Sequence, residues 1–127
     1  MSGIYTILLM IFLHIVDDYY LQKGWMSEAK QKKYWEDNAP DKMYKFDYIW
    51  VLLMHSFSWS FMIMLPIAFV EQFNIGGKFL TMFILNLLLH ASVDNHKANE
   101  RRINLWQDQL IHIVQIILTY FFIIIWR

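Results

Sequence analysis

Four long apolar segments alternate with shorter polar ones along the 127-residue chain. Residues 3–21, 49–70, 76–94 and 108–126 each match the ~17–25 residues that a helix needs to cross a hydrocarbon core of ~30 Å. Segment 49–70 has no ionisable side chain except His55 and is lined all round by Trp, Phe, Met and Leu. A helix of a soluble bundle would keep a polar face at 3.6-residue spacing, and this one has none. Pro66 marks the one expected kink. The first segment lacks both a basic lead and a small-residue cleavage motif, so it reads as a span and not a signal peptide. The pattern predicts an all-α integral membrane four-helix bundle forming a single domain over residues 1–127. Its first loop, where Trp25, Met26, Ala29 and Trp35 stand among charges, is expected to be either an amphipathic helix at the interface or irregular.

Composition sharpens this picture. Hydrophobic residues make up 57% of the chain and charged ones 17%, with a net charge of zero, against ~45–50% and ~25% in soluble domains. There is no basic excess to neutralise a phosphate backbone, which argues against nucleic-acid binding. The absence of cysteine excludes disulfides and thiolate metal ligands. Lys23, Lys30, Lys32, Lys33, Lys42 and Lys45 fall in the first loop and Lys97, Arg101 and Arg102 in the third, while only Lys78 and Arg127 fall opposite. Basic residues in short loops stay cytoplasmic. The expectation is a multi-pass protein of the cytoplasmic (inner) membrane, with both termini outside and the large loops cytoplasmic. The bilayer is the partner this implies, and oligomerisation is left open.

Candidate chemistry lies inside the apolar segments. His14 and Asp18, His90 and Asp94, and Asp108 and His112 form three pairs at i,i+4, a spacing that puts Cβ atoms ~5–6 Å apart on one helix face. His55 opens the second span as a lone candidate. In an antiparallel bundle all seven lie at the same cytoplasmic depth, although they come from opposite ends of their segments. Taken singly, each residue reads as a buried hydrogen-bonding group, and Asp108 also as a helix cap. Together they predict a metal site, because ionisable groups in lipid cost ~2.5–3.5 kcal/mol each even on insertion scales and a divalent cation compensates several at once. Three aspartates against two divalent ions leave a small positive charge, and seven candidate ligands exceed what one tetrahedral ion takes. The expectation is therefore two ions of Zn, Mn or Fe. Trp25, Trp35, Trp50, Trp106 and Trp126 read as interfacial belt residues, and His96 as a loop residue off the paired register.

The runs H-IVD-D-YYLQ (14–22), His55, H-ASV-D-NH-K (90–97) and DQLIH (108–112) resemble the pattern H-x3-D-F-x2-Q, H, H-x3-D-x2-K, D-Q-x2-H of an uncharacterised family of small bacterial and phage integral membrane proteins. More distantly the chain is similar to the membrane-bound metal-dependent hydrolases. Tyr19 stands where the pattern has phenylalanine. Gln22, Lys30, Lys97 and Gln109 also fit the family pattern, and lysines at the rim would orient an anionic substrate. The distant resemblance implies hydrolysis. Water acidified by the metals would attack an ester, a phosphoester of a lipid or nucleotide being the substrate expected, with His55 as a seventh ligand or the general acid/base. Two alternatives stand beside it: a structural or inhibitory membrane protein whose metal staples the helices, and a metal or proton transporter. The transporter is disfavoured because the outer half of the spans is almost wholly apolar.

Overall fold

A computed structural model describes residues 1–126; Arg127, counted above with Lys78, lies outside them. The described residues are helical and contain no strand. Helix α1 (Gly3–Ile15) continues into a wider π-helical turn at Val16–Leu21, and short helices α2 (Trp25–Ala29) and α3 (Lys32–Asn38) follow. After a 3-10 turn at Lys42–Tyr44 come α4 (Asp47–Val70), α5 (Gly77–Ala98) and α6 (Leu105–Tyr120), the last ending in a second π turn at Phe121–Ile125. The long helices close a ring in the order α1, α4, α5, α6, each packed against the next and α6 against α1.

Three stretches, Gly3–Leu21, Lys42–Val70 and Leu105–Ile125, are long and apolar enough to cross a membrane. Helix α5 falls short of that measure because Lys78, Asn86, His90, Asp94, Asn95, His96 and Lys97 dilute its apolar content. Its exposed side is nevertheless apolar, with Leu80, Ile84, Leu85, Leu88 and Leu89 all open. The loop predicted as one amphipathic helix or irregular is two short helices and a turn. Pro66 is accommodated inside α4, which runs on to Val70. The start of α6 is set by Asn104, whose side chain accepts from Gln107 N–H at 2.9 Å while Gln107 Oε1 accepts from Asn104 N–H at 3.0 Å. Asn104, and not Asp108, is thus the cap, and Asp108 is left to the interior.

Polarity is inverted relative to a water-soluble bundle. Phe12, Phe57, Phe61, Val114 and Leu118 are exposed, while Thr6, Ser56, Ser60 and the site histidines are buried. The interior is layered at steps of one turn, about 6 Å for four residues. His14, His55, His90 and His112, all buried, form one layer. One turn to one side stand Asp18, Val51, Asp94 and Asp108; one turn to the other stand Met10, Trp59, Asn86 and Ile116, again all buried. Antiparallel neighbours make this possible, because a step of minus four on α1 and α5 matches plus four on α4 and α6. Below, Trp59, Ile63, Met64, Ile67, Ile116 and Ile123 join Met10 in the apolar core.

Beside that core lies a polar network in which Gln115 Oε1 alone is without a hydrogen bond. Asn86 Nδ2 donates to Thr119 Oγ1 at 2.9 Å, and Gln115 Nε2 donates to Asn86 Oδ1 at 2.9 Å and to Asn86 O at 3.0 Å. Asn86→Ala removes the side-chain partner of Gln115 and Thr119, leaving Gln115 only the backbone carbonyl, and should lower stability by about 1–2 kcal/mol. Denaturant titration in detergent would measure it, with metal content unchanged because the network sits a turn from the histidines.

Candidate metal centre

The π turn decides how α1 enters the site. Gln22 N–H donates to Asp17 O at 2.9 Å, an i→i+5 bond, and the widened turn brings two consecutive carboxylates inward where an α-turn would splay them. Asp17 is buried and Asp18 is nearly so. Their roles differ. Asp17 Oδ1 accepts from Ser58 Oγ at 2.5 Å and its Oδ2 lies 3.4 Å from His55 Nδ1. It stands behind the His55 ring, whose Nε2 faces the centre, in the place that carboxylates take behind metal-binding histidines, although its Oδ2 makes no hydrogen bond.

Asp18 is the hub. Its Oδ1 lies 3.4 Å from His55 Nε2, and its Oδ2 lies 3.5 Å from His14 Nδ1 and 3.9 Å from His112 Nδ1. His55 Nε2 and His90 Nε2 face each other at 3.1 Å. Two sets suited to metal binding result, Asp18–His55–His90 and His14–Asp18–His112, and they share Asp18. Ligands bound at ~2.0–2.1 Å to a tetrahedral ion stand about 3.3–3.4 Å apart, so the 3.1 and 3.4 Å edges of the first set match such an ion. The second set is looser. Each set offers two imidazoles and one carboxylate oxygen and leaves further coordination positions open.

The two sets also differ in readiness. Trp59 Nε1–H donates to His14 Nδ1 at 2.7 Å, and His14 Nε2 pairs with Gln109 Oε1 at 3.0 Å, so both His14 nitrogens are engaged. Neither nitrogen of buried His112 has a hydrogen-bond partner, nor has His90 Nδ1 or Asp18 Oδ1. Trp59 lies under the histidines, its ring stacked on His90 at 4.2 Å, and His90 stacks on His112 at 4.2 Å. The belt reading of the other tryptophans leaves out Trp59. Its i+4 offset from His55 on the same helix face is the sequence signal that marks it.

The i,i+4 pairs do not each form a unit. His90 and Asp94 do not approach within ion-pair distance; Asp94 Oδ2 lies 3.8 Å from His55 Nε2 and accepts from Lys30 Nζ at 3.0 Å. Asp108 Oδ2 accepts from Lys97 Nζ at 3.3 Å and from Gln109 Nε2 at 2.9 Å, while its unpartnered Oδ1 faces His112 Nε2 at 3.8 Å. Asp94 and Asp108 therefore form an outer tier in which lysines supply half of the compensation assigned above to metal. His96 sits in the last turn of α5 and not in a loop, and pairs with Glu100 at 2.5 Å away from the centre. Counting Asp17, Asp18, Asp94 and Asp108 against Lys30 and Lys97, the centre carries −2 with neutral imidazoles. One divalent ion balances that, and two leave it at +2.

Comparison with protein-family models, curated proteins and solved structures finds no match.

Removing the shared ligand should empty both sets, whereas removing a supporting group should not. Asp18→Asn is expected to leave no bound metal by elemental analysis, since a neutral amide cannot supply the anionic oxygen. Asp17→Asn should weaken metal affinity ~10–100-fold only. His14→Ala should retain an ion that His55→Ala and His90→Ala lose. An emptied centre in Asp17→Asn with a filled one in Asp18→Asn would reverse the assignment of the two carboxylates.

Proposed function

We propose that the chain is a four-span integral membrane protein carrying a two-metal hydrolase centre near the cytoplasmic face, with α5 as the fourth span. The observation that carries this reading is Asp18, whose Oδ1 faces His55 while its Oδ2 faces His14 and His112, so that one carboxylate belongs to both ligand sets. A carboxylate in that position would be a ligand common to both ions, and paired ions would supply the charge that stabilises attacking and leaving oxygens in hydrolysis. Zn, Mn and Fe fit imidazole and carboxylate donors.

When bound, such ions supply Lewis acidity and lower the pKa of a bound water. The protein's own contribution is arrangement. Asp17, held by Ser58, stands behind the His55 ring, Trp59 walls off the apolar side of the histidine layer, and Lys30 and Lys97 hold the outer carboxylates. His55 is a ligand in this arrangement, since its Nε2 is directed at Asp18 and His90. A structural staple closes its metal with four protein ligands; three per set, with positions left for water, suit turnover better.

Protein purified without chelator is expected to retain about two divalent ions per chain and to release product from a phosphoester. A folded, reconstitutable protein with metal content near zero would sink the centre. One ion held at full occupancy with no turnover would favour the structural alternative. The topology has its own check: reporters fused at either terminus should score outside, and reporters at Lys32 or Arg101 cytoplasmic. A cytoplasmic terminus would contradict the four-span arrangement.

A further inference from the structure

Outside the histidine layer, a cavity of about 160 Å³ opens between the π turn of α1, the short helix α2 and the facing ends of α5 and α6. Its wall includes three carboxylates, Asp18, Asp94 and Asp108, with Lys30, Lys97 and Gln109 between them. Both lysines are tethered, but each ammonium spends one hydrogen bond on its aspartate and has three donors. The cavity thus combines cationic donors with the open side of Asp18. Resting on the two-metal reading, we propose that it is the subsite for a terminal phosphomonoester carried by a membrane lipid.

Charge, size and position support this assignment. With two divalent ions the centre stands at +2, and a phosphomonoester brings about −1.5 to −2 at neutral pH, returning it near zero. A phosphodiester, with a single charge, leaves an excess. Pockets that enclose whole small molecules run ~300–1,000 Å³, so 160 Å³ holds a phosphate and leaves the rest of the substrate outside. A nucleotide would find no further enclosure here. What flanks the opening is apolar and aromatic: Tyr19 and Leu105 in the wall itself, with Tyr20, Leu21 and Trp106 beside them, all exposed. Tyr and Trp sit at the headgroup level of a bilayer, where lipid phosphates lie. In the reaction, water adds to phosphorus, the bond from phosphorus to the lipid alcohol oxygen breaks, one proton of the water ends on that alcohol, and inorganic phosphate is released.

The test uses the full chain, metal-loaded and purified in detergent, mixed with phosphatidylcholine micelles containing either phosphatidate or phosphatidylglycerol. Native mass spectrometry counts retained lipid, and elemental analysis of the same samples counts metal. Wild type should retain phosphatidate at least about tenfold over phosphatidylglycerol. Lys30→Gln and Lys97→Gln should each cut that retention about tenfold, the loss of one charge-assisted hydrogen bond, at wild-type metal content. Lys97→Arg should keep most of it. Equal retention of the two lipids overturns the phosphomonoester assignment. Glycerol phosphate or a nucleotide monophosphate displacing phosphatidate at equal concentration overturns the lipid half of it. Loss of metal in both glutamine variants overturns the subsite, because the lysines would then be holding aspartates in place for the metal. Selective retention of phosphatidate by protein without any metal would uphold the subsite and sink the two-metal centre instead.

Discussion

A carboxylate held among four imidazoles, inside a bundle whose exterior is apolar, sets the terms for the rest of the molecule. Asp18 has only 11% of its side chain exposed, and an anion in that setting must be compensated locally or not persist. Compensation reaches it from every long helix: His14 on its own, His55 from α4 with His90 of α5 behind it, His112 from α6. None of these groups can move a turn without losing the others. The spacing of four residues between layers is then a consequence, because each helix must deliver its histidine at one depth and close the layer below with Met10, Trp59, Asn86 or Ile116.

Hydrogen-bond polarity carries the same constraint outward. An indole N–H can only donate, so His14 Nδ1 must accept from Trp59, and in the neutral ring His14 Nε2–H must then donate to Gln109 Oε1. That fixes the Gln109 amide with its Nε2 toward Asp108, at 2.9 Å, and toward Asp18, at 3.5 Å. A single relay, from Trp59 through His14 and Gln109, thus assigns one tautomer and one amide orientation and ends on two carboxylates. It also explains the asymmetry between the sets: the relay occupies His14, while His112, outside it, has both nitrogens without hydrogen bonds. Filling the second set requires giving up part of the relay, and filling the first does not.

Much of this was legible in the sequence, and the limits are specific. The helical class, the apolar runs and the identity of the clustered histidines and aspartates follow from hydropathy and from ionisable residues where lipid disfavours them. Partnering within the cluster does not follow. The i,i+4 rule treats each helix alone, yet Asp94 turns to His55 and Lys30, across helices, and not to His90. The rule also pairs His14 with one aspartate, Asp18, while the π turn at Val16–Leu21 brings Asp17 inward beside it. Asp108 resembled a cap because it lies near the start of a span, but the capping box at Asn104 and Gln107 starts α6 a turn earlier. Sequence offers Lys30 and Lys97 as loop charge or as rim groups facing an anionic substrate; only the folded chain shows that Lys30 reaches Asp94 and Lys97 reaches Asp108.

The layers finally weigh between catalysis and passage. A conducting path needs polar groups or water through the whole thickness. Beyond the histidines the first obstruction is Trp59, stacked on His90 and fully buried. The polar groups beside and beyond it, Asn86, Gln115 and Thr119, bond chiefly to one another, so they are no stepping stones for an ion. Past them come Ile63, Ile67 and Ile123 of the apolar core. On the other side the same centre opens through a cavity lined by Lys30, Lys97 and three aspartates, beside exposed Tyr19 and Leu105. With an aromatic floor on one side and a mouth of lysines and carboxylates on the other, the centre has the shape that the proposed reaction at the membrane surface would use, and the apolar core beyond Trp59 offers no polar path.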